Sequence, residues 1–162
     1  MQNVELVLKA AALMKENKDI SFFIVGSGVN EERLKTFAKE KELSNVTFVG
    51  MQPPEEVADL YSAADVNLIP LQRGLIYAAL PSKTADCLIA GRPIITCVNE
   101  HSSFAELMES NGYFNVNPEN ADKLSDSIKK VKDSVEQSAE KRTLTFSRAT
   151  NVKLHCESIE NL

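Results

Sequence analysis

The chain has 162 residues, of which 43% are hydrophobic and 25% charged, with a formal net charge of −5. This balance fits one ordinary globular domain and excludes disordered or fibrous architectures. The acidic surplus argues against nucleic-acid binding, which draws on clustered Lys and Arg, and no apolar run approaches the ~20 residues of a membrane-spanning helix.

Val4, Val7, Leu8, Ala11 and Met14 recur at helical spacing, so an amphipathic helix opens the chain. Ser21 to Gly26 is an unbroken apolar run, the pattern of a strand buried on both faces. A helix follows from about Asn30, which can cap it, with Glu31 and Glu32 at its positive end. Val46 to Val49 reads as the second strand, ending in Gly50. Pro53 and Pro54 then start a helix carrying Val57, Leu60 and Tyr61, and Val66 to Pro70 is the third strand. After a short helix ending at Gly91 come a strand from Ile94 to Val98, a helix over the Ser102 to Ser110 region, and an edge strand from Tyr113 to Val116. Leu124, Ile128, Val131 and Val135 define a further amphipathic helix, and Phe146 to Leu162 reads as a polar helical tail.

Strand and helix alternate throughout, which predicts an α/β chain: a three-layer α/β/α Rossmann-like domain with a mostly parallel sheet. Residues 1–162 read as a single domain, without internal repeats or a low-complexity linker. Such a domain ordinarily begins with a strand, whereas this sequence begins with a helix. The expectation is that a first strand was removed or belongs to a longer parent chain. Cys87, Cys97 and Cys156 are odd in number and lack C-x-x-C pairing, so reduced thiols are expected rather than disulfides or metal ligands.

Ligands of such domains bind beyond the carboxyl ends of the strands, where Gly26-Ser27-Gly28, Gly50 and the Pro70 to Pro81 segment fall. The segment Leu80 to Pro93 reads as a phosphate-binding corner. Pro81 opens a helix whose first turn carries Ser82, Lys83 and Thr84, and whose second carries Asp86. Free N–H groups and the dipole at such a start attract phosphate, and a carboxylate one turn deeper can accept sugar hydroxyls. Ser82 and Thr84 can equally cap the helix, and Lys83 can be an ordinary solvated lysine. Gly26-Ser27-Gly28 fails as a G-x-G-x-x-G fingerprint because Glu31 stands at the third position, so NAD binding is not expected. It is either a close-approach turn for a ligand or a plain strand-to-helix turn. His101, in the loop after the strand ending at Val98, either faces the cleft or, as a lone loop histidine more often does, lies in solvent.

The ordered pieces V-G-S-G-V, F-V-G, Y-S-A-A-D-V, L-I-P-L and A-G-R-P-I-I closely resemble the donor-binding C-terminal half of retaining, two-Rossmann (GT-B) glycosyltransferases of the family 4-like group 1. The P-S-K segment is similar to members that assemble bacterial surface polysaccharides. The resemblance implies a domain that binds a nucleoside-diphosphate sugar, with transfer to a glycan or lipid-linked acceptor in a cleft shared with an N-terminal acceptor-binding half. It implies no metal or other cofactor, UDP ahead of GDP, and a cytoplasmic location with the parent peripheral at the inner face of the membrane. It puts Gly50 and Met51 at the base, Arg73 and Gly74 in a loop meeting the donor, and Asp86 on the ribose.

The family's paired acidic signature falls on Ala78 and Asp86, so only the second carboxylate is kept, one methylene shorter. The family's diphosphate-neutralising Arg and Lys would lie ahead of this sequence. The catalytic groups are therefore unassigned, and this polypeptide alone is expected to be inactive. The alternative is a non-catalytic Rossmann-like binding subunit, or a separately encoded donor half of a two-subunit transferase.

Overall fold

Six helices alternate with five short strands in the computed structural model, which describes residues 2–75 and 81–139. They are α1 (Val4–Leu13), β1 (Phe22–Val25), α2 (Glu31–Glu40), β2 (Val46–Val49), α3 (Pro54–Ala63), β3 (Asn67–Pro70), α4 (Lys83–Ile89), β4 (Ile94–Cys97), α5 (Ser103–Ser110), β5 (Phe114–Val116) and α6 (Ala121–Ala139). Each expected element within these residues is present. The expected tail from Phe146 to Leu162, with Cys156, lies outside the described residues, as do Ala78 and Leu80.

Every named strand pair is parallel, as crossovers through helices require. Among the described residues the sheet is in two pieces, β1 with β2, and β3, β4 and β5 in that order. Helices cover both faces. On one side α1, α2 and α6 pack against Phe22, Ile95, Cys97 and Val116; on the other, α4 and α5 close over Ile69, Ile94 and Val98, joined by Tyr61 of α3.

Helix α1 is deeply set. Leu6, Val7, Leu8, Ala10 and Ala11 are all buried, because α1 is wedged between the sheet and α6. Both its ends are held by asparagines. Asn3 accepts the Leu6 N–H at 3.3 Å through its side chain and donates from Nδ2 to the Pro118 carbonyl at 2.8 Å. At the far end Asn45 donates from Nδ2 to the Ala11 carbonyl at 3.0 Å. These bonds satisfy backbone groups that a helix leaves unpaired at its termini.

Two local expectations are corrected. The first strand was expected to be buried on both faces, yet Phe23 and Val25 are 66% and 44% exposed. The core beneath α4 and α5 does not extend across β1, and α3 buries no residue. Asn30 occupies the N-cap position of α2, but its side chain makes no capping bond. Its backbone (φ −98°, ψ 6°) lies outside the extended region that aims a capping side chain at the first turn. Gly28 supplies the acceptor instead, its carbonyl taking the Glu31 N–H at 3.0 Å.

Cys87 and Cys97 are buried free thiols, and loss of solvent pushes both up to about 12, so they are protonated packing groups. Among the described residues no helix is long and apolar enough to cross a membrane.

Leu8 is 0% exposed on α1, whereas Val29 is 96% exposed in the β1–α2 loop. Leu8→Ala is expected to lower unfolding free energy by about 2–5 kcal/mol in urea titration, through lost transfer energy and a residual cavity. Val29→Ala should stay within about 0.5 kcal/mol.

Candidate functional site

All parallel strands end on one edge, and the turns that leave that edge carry the residues singled out from the sequence. After β1 the chain turns through Gly26, whose φ of 118° is closed to most side chains. Its N–H donates to the Val49 carbonyl at 2.9 Å, which ties this turn to the end of β2. Ser27 and Gly28 are exposed beyond it. A Cβ added at Gly28 or Gly50 would meet nothing within 4 Å, so both stretches of main chain are open to approach. Met51 follows Gly50 with 71% of its surface exposed, an apolar side chain standing free beside bare backbone.

On the other half of the edge, the loop after β3 is fixed by polar contacts to the loops after β4 and β5. Gly74 donates its N–H to Asn99 Oδ1 at 2.8 Å, and Arg73 pairs with Glu119 at 2.7 Å. The Arg73–Glu119 pair is solvent-exposed, so it costs little to open. Sequence reading missed both partners. A polar residue directly after a buried strand, as Asn99 is after Ile94 to Val98, was the available signal; Glu119 gave none, being 46 residues from Arg73.

The start of α4 holds the remaining candidates. Ser82 stands at the N-cap, but its backbone is already helical (φ −53°, ψ −36°) and its hydroxyl makes no capping bond. The Thr84 N–H is taken by the Pro81 carbonyl at 2.9 Å. The Thr84 hydroxyl is buried without a partner among the described residues. Capping, offered above as a role for Ser82 and Thr84, is therefore not what either hydroxyl does. Asp86 lies exposed one turn further on.

Lys83 is half-buried, and loss of solvent lowers its ammonium below the ordinary lysine value, with Cys87 acting weakly the other way. Burial pushes the neighbouring Tyr61 phenol up to about 12, helped by Cys87 and Asp86. A lysine held partly out of water is short of solvation for its charge, and an anion at the same helix start supplies it. Thus α4 brings together a desolvated cation, an exposed hydroxyl and a carboxylate. Gly26, Ser27, Gly28, Gly50 and Met51 sit on the β1–β2 half of the same edge, and Arg73, Pro81, Ser82, Lys83, Thr84 and Asp86 on the β3–β5 half.

Comparison with known proteins gives the family. The model of "Glycosyl transferases group 1" matches residues 1–143. The chain is 26% identical over 112 residues to the probable glycosyltransferase WbjE of Pseudomonas aeruginosa, covering 69% of this chain and 28% of that protein. It is 28% identical over 109 residues to the putative colanic acid biosynthesis glycosyl transferase WcaI of Escherichia coli K12, covering 67% and 26%. It thus spans little more than a quarter of these relatives. Among solved structures, the catalytic domain of cholesterol-α-glucosyltransferase from Helicobacter pylori superposes with a TM-score of 0.64 at 19% identity, covering 99% of this chain and 91% of that one. TarM superposes with a TM-score of 0.64 at 14% identity, covering 96% of this chain and 32% of that one. These structural likenesses carry the fold, and the family match extends over most of the sequence: the chain belongs to the group 1 glycosyl transferases.

Proposed function

We propose that this chain is the donor-binding half of a glycosyltransferase that moves a sugar from a nucleoside-diphosphate sugar to a glycan or lipid-linked acceptor. The observation that carries this reading is the start of α4, where half-buried Lys83 and exposed Asp86 flank one helical turn on the carboxyl edge. Lys83, with the Ser82 hydroxyl and the positive dipole end of that helix, takes the diphosphate. Asp86 accepts hydrogen bonds from the ribose hydroxyls. Gly50 and Met51 receive the base, and the open main chain from Gly26 to Gly28 lets the sugar-phosphate approach. Arg73 reaches the donor by exchanging its exposed pair with Glu119 for the diphosphate.

UDP is favoured over GDP, a reading supported by related folds solved with that nucleotide, TarM in complex with UDP and the pneumococcal O-GlcNAc transferase GtfA in complex with UDP and GlcNAc. Helix N–H groups and basic side chains neutralise the diphosphate in place of a metal ion. Acceptor binding and the catalytic groups come from another part of the parent enzyme, which works on the cytoplasmic side of the membrane. Polysaccharide assembly is the process favoured by the named roles of the relatives, colanic acid biosynthesis for WcaI and amylovoran biosynthesis for AmsK of Erwinia amylovora.

Calorimetric titration tests the assignment directly. UDP is expected to bind, GDP more weakly, and Asp86→Ala to cost about 10–100-fold in affinity through the lost charge-assisted hydrogen bonds. If UDP at millimolar concentration gives no binding, or Asp86→Ala leaves it unchanged, the site assignment fails. The pH dependence gives a second check. Burial has lowered Lys83 below the ordinary lysine value in the free protein, and a bound diphosphate favours its charged form. Binding therefore takes up protons as pH rises toward the lowered value, and affinity falls in that alkaline range, before an ordinary lysine would titrate. Lys83→Met is expected to weaken binding about tenfold or more at neutral pH and to flatten this decline. An unchanged alkaline decline in Lys83→Met would assign the titration to another group.

A further inference from the structure

The turn after β4, from Asn99 to Ser102, lies on the carboxyl edge. Because β4 is the middle strand of its piece of sheet, this turn stands between the loop that leaves β3 and the loop that leads from β5 into α6. It is tightly made. The Asn99 carbonyl accepts the Ser102 N–H at 3.3 Å and the Ser102 hydroxyl at 2.8 Å, and Ser102 Oγ in turn accepts the Ala105 N–H at 3.2 Å. Ser102 is buried. Asn99 Oδ1 takes the Gly74 N–H at 2.8 Å, and Glu100 pairs with Lys123 at 3.8 Å. The residues on either side of His101 are therefore all engaged with the rest of the protein.

His101 is the exception. Its side chain is exposed and has no partner among the described residues. Its φ is 62°, in the left-handed region that side chains seldom adopt and that glycine adopts freely. Glu42, the other described non-glycine residue with positive φ, has an ordinary reason for it. It terminates α2, where the N–H groups of Glu42 and Leu43 donate to the Lys39 and Ala38 carbonyls at 3.0 Å. No helix ends at His101. A turn that glycine would close without strain instead holds an imidazole out at the edge where the parallel strands end. Backbone strain of this kind persists where a side chain is needed in one place.

The ligand contacts assigned above leave a part of the donor unclaimed. Gly50 and Met51 receive the base, Asp86 the ribose, and Lys83 the diphosphate, while no side chain is assigned to the hydroxyls of the transferred sugar. The Asn99–Gly74 bond sets the turn after β4 against the loop that carries Arg73, next to the diphosphate grip. We propose that His101 is a specificity-determining residue, whose imidazole hydrogen-bonds a hydroxyl of the donor's sugar. The inference rests on the donor reading and deepens it. Ring nitrogens of histidine suit this task, and the fixed turn spends little entropy in presenting them.

Calorimetric titration of the 162-residue chain with UDP, UDP-glucose and UDP-N-acetylglucosamine tests it, on the unaltered chain and on His101→Gly and His101→Asn. Glycine accepts the left-handed backbone without strain and asparagine accepts it better than most side chains, so both variants keep the turn and remove the imidazole. Their urea midpoints are expected to equal or exceed that of the unaltered chain. UDP affinity should stay within about twofold, whereas affinity for at least one of the two UDP-sugars should fall about 3–10-fold in both variants, the size of one lost hydrogen bond. UDP alone separates the two readings. If the unaltered chain does not bind UDP, the donor reading fails and this inference with it. If UDP binds but neither UDP-sugar does, or the variants bind both UDP-sugars as the unaltered chain does, this inference alone is overturned. It is overturned as well if UDP and the UDP-sugars weaken equally, if only the glycine variant loses affinity, or if the midpoint of His101→Gly falls.

Discussion

The structure depends on the burial of α1 between the sheet and α6. A helix with its inner face buried sets terminal backbone groups away from water, and the asparagines at its ends pair two of them, the Leu6 N–H and the Ala11 carbonyl. Asn3 does more than cap. Its side chain also binds Pro118, ahead of α6, and its main chain binds Pro70, at the end of β3. One residue thereby fixes the start of α1, the end of a central strand and the approach to the last helix. The loops after β3 and β4 are then held relative to one another by Gly74 with Asn99. The carboxyl edge gains its order from this frame.

On that frame the candidate site uses mostly backbone and few charges. Open main chain at Gly28 and Gly50 allows close approach without side-chain rearrangement, and the positive end of α4 lies at Lys83. Lys83 carries the main electrostatic cost. Holding an ammonium partly out of water is unfavourable in the free protein, and an anionic ligand relieves it, so stability is conceded where binding gains. Among the described residues the buried hydroxyl of Thr84, next to Lys83, has no partner, a second polar imperfection in the same turn. Local departures from full satisfaction of this kind concentrate at functional sites.

Much of this was legible in the sequence because it rests on short-range regularities. Apolar periodicity located each strand within a residue or two and each helix by its start or its apolar face, and Gly91 marked the end of α4, where the backbone turns left-handed (φ 64°). Features that depend on distant partners were not legible. The apolar run of β1 looked doubly buried because composition reports what a strand can bury and does not report whether a neighbour is there to bury it. Asn30 has a capping residue's chemistry but lacks the backbone angles, which the turn at Gly28 decides. Glu119 and Tyr61 reach the site through tertiary packing alone. Asp86 and Lys83, in contrast, were readable because three-residue spacing on a short helix sets their relation directly.

The divided sheet and the site are parts of one problem. The face under α1, α2 and α6 is a continuous core that includes residues from both halves, Phe22 and Ile24 with Leu68, Ile95 and Val116. The opposite face is continuous only over β3 and β4. The halves are therefore joined along one layer. The proposed base-contacting turn at Gly50 and Met51 belongs to one half, while Lys83 and Asp86 belong to the other. A ligand bridging them would depend on the angle between the halves.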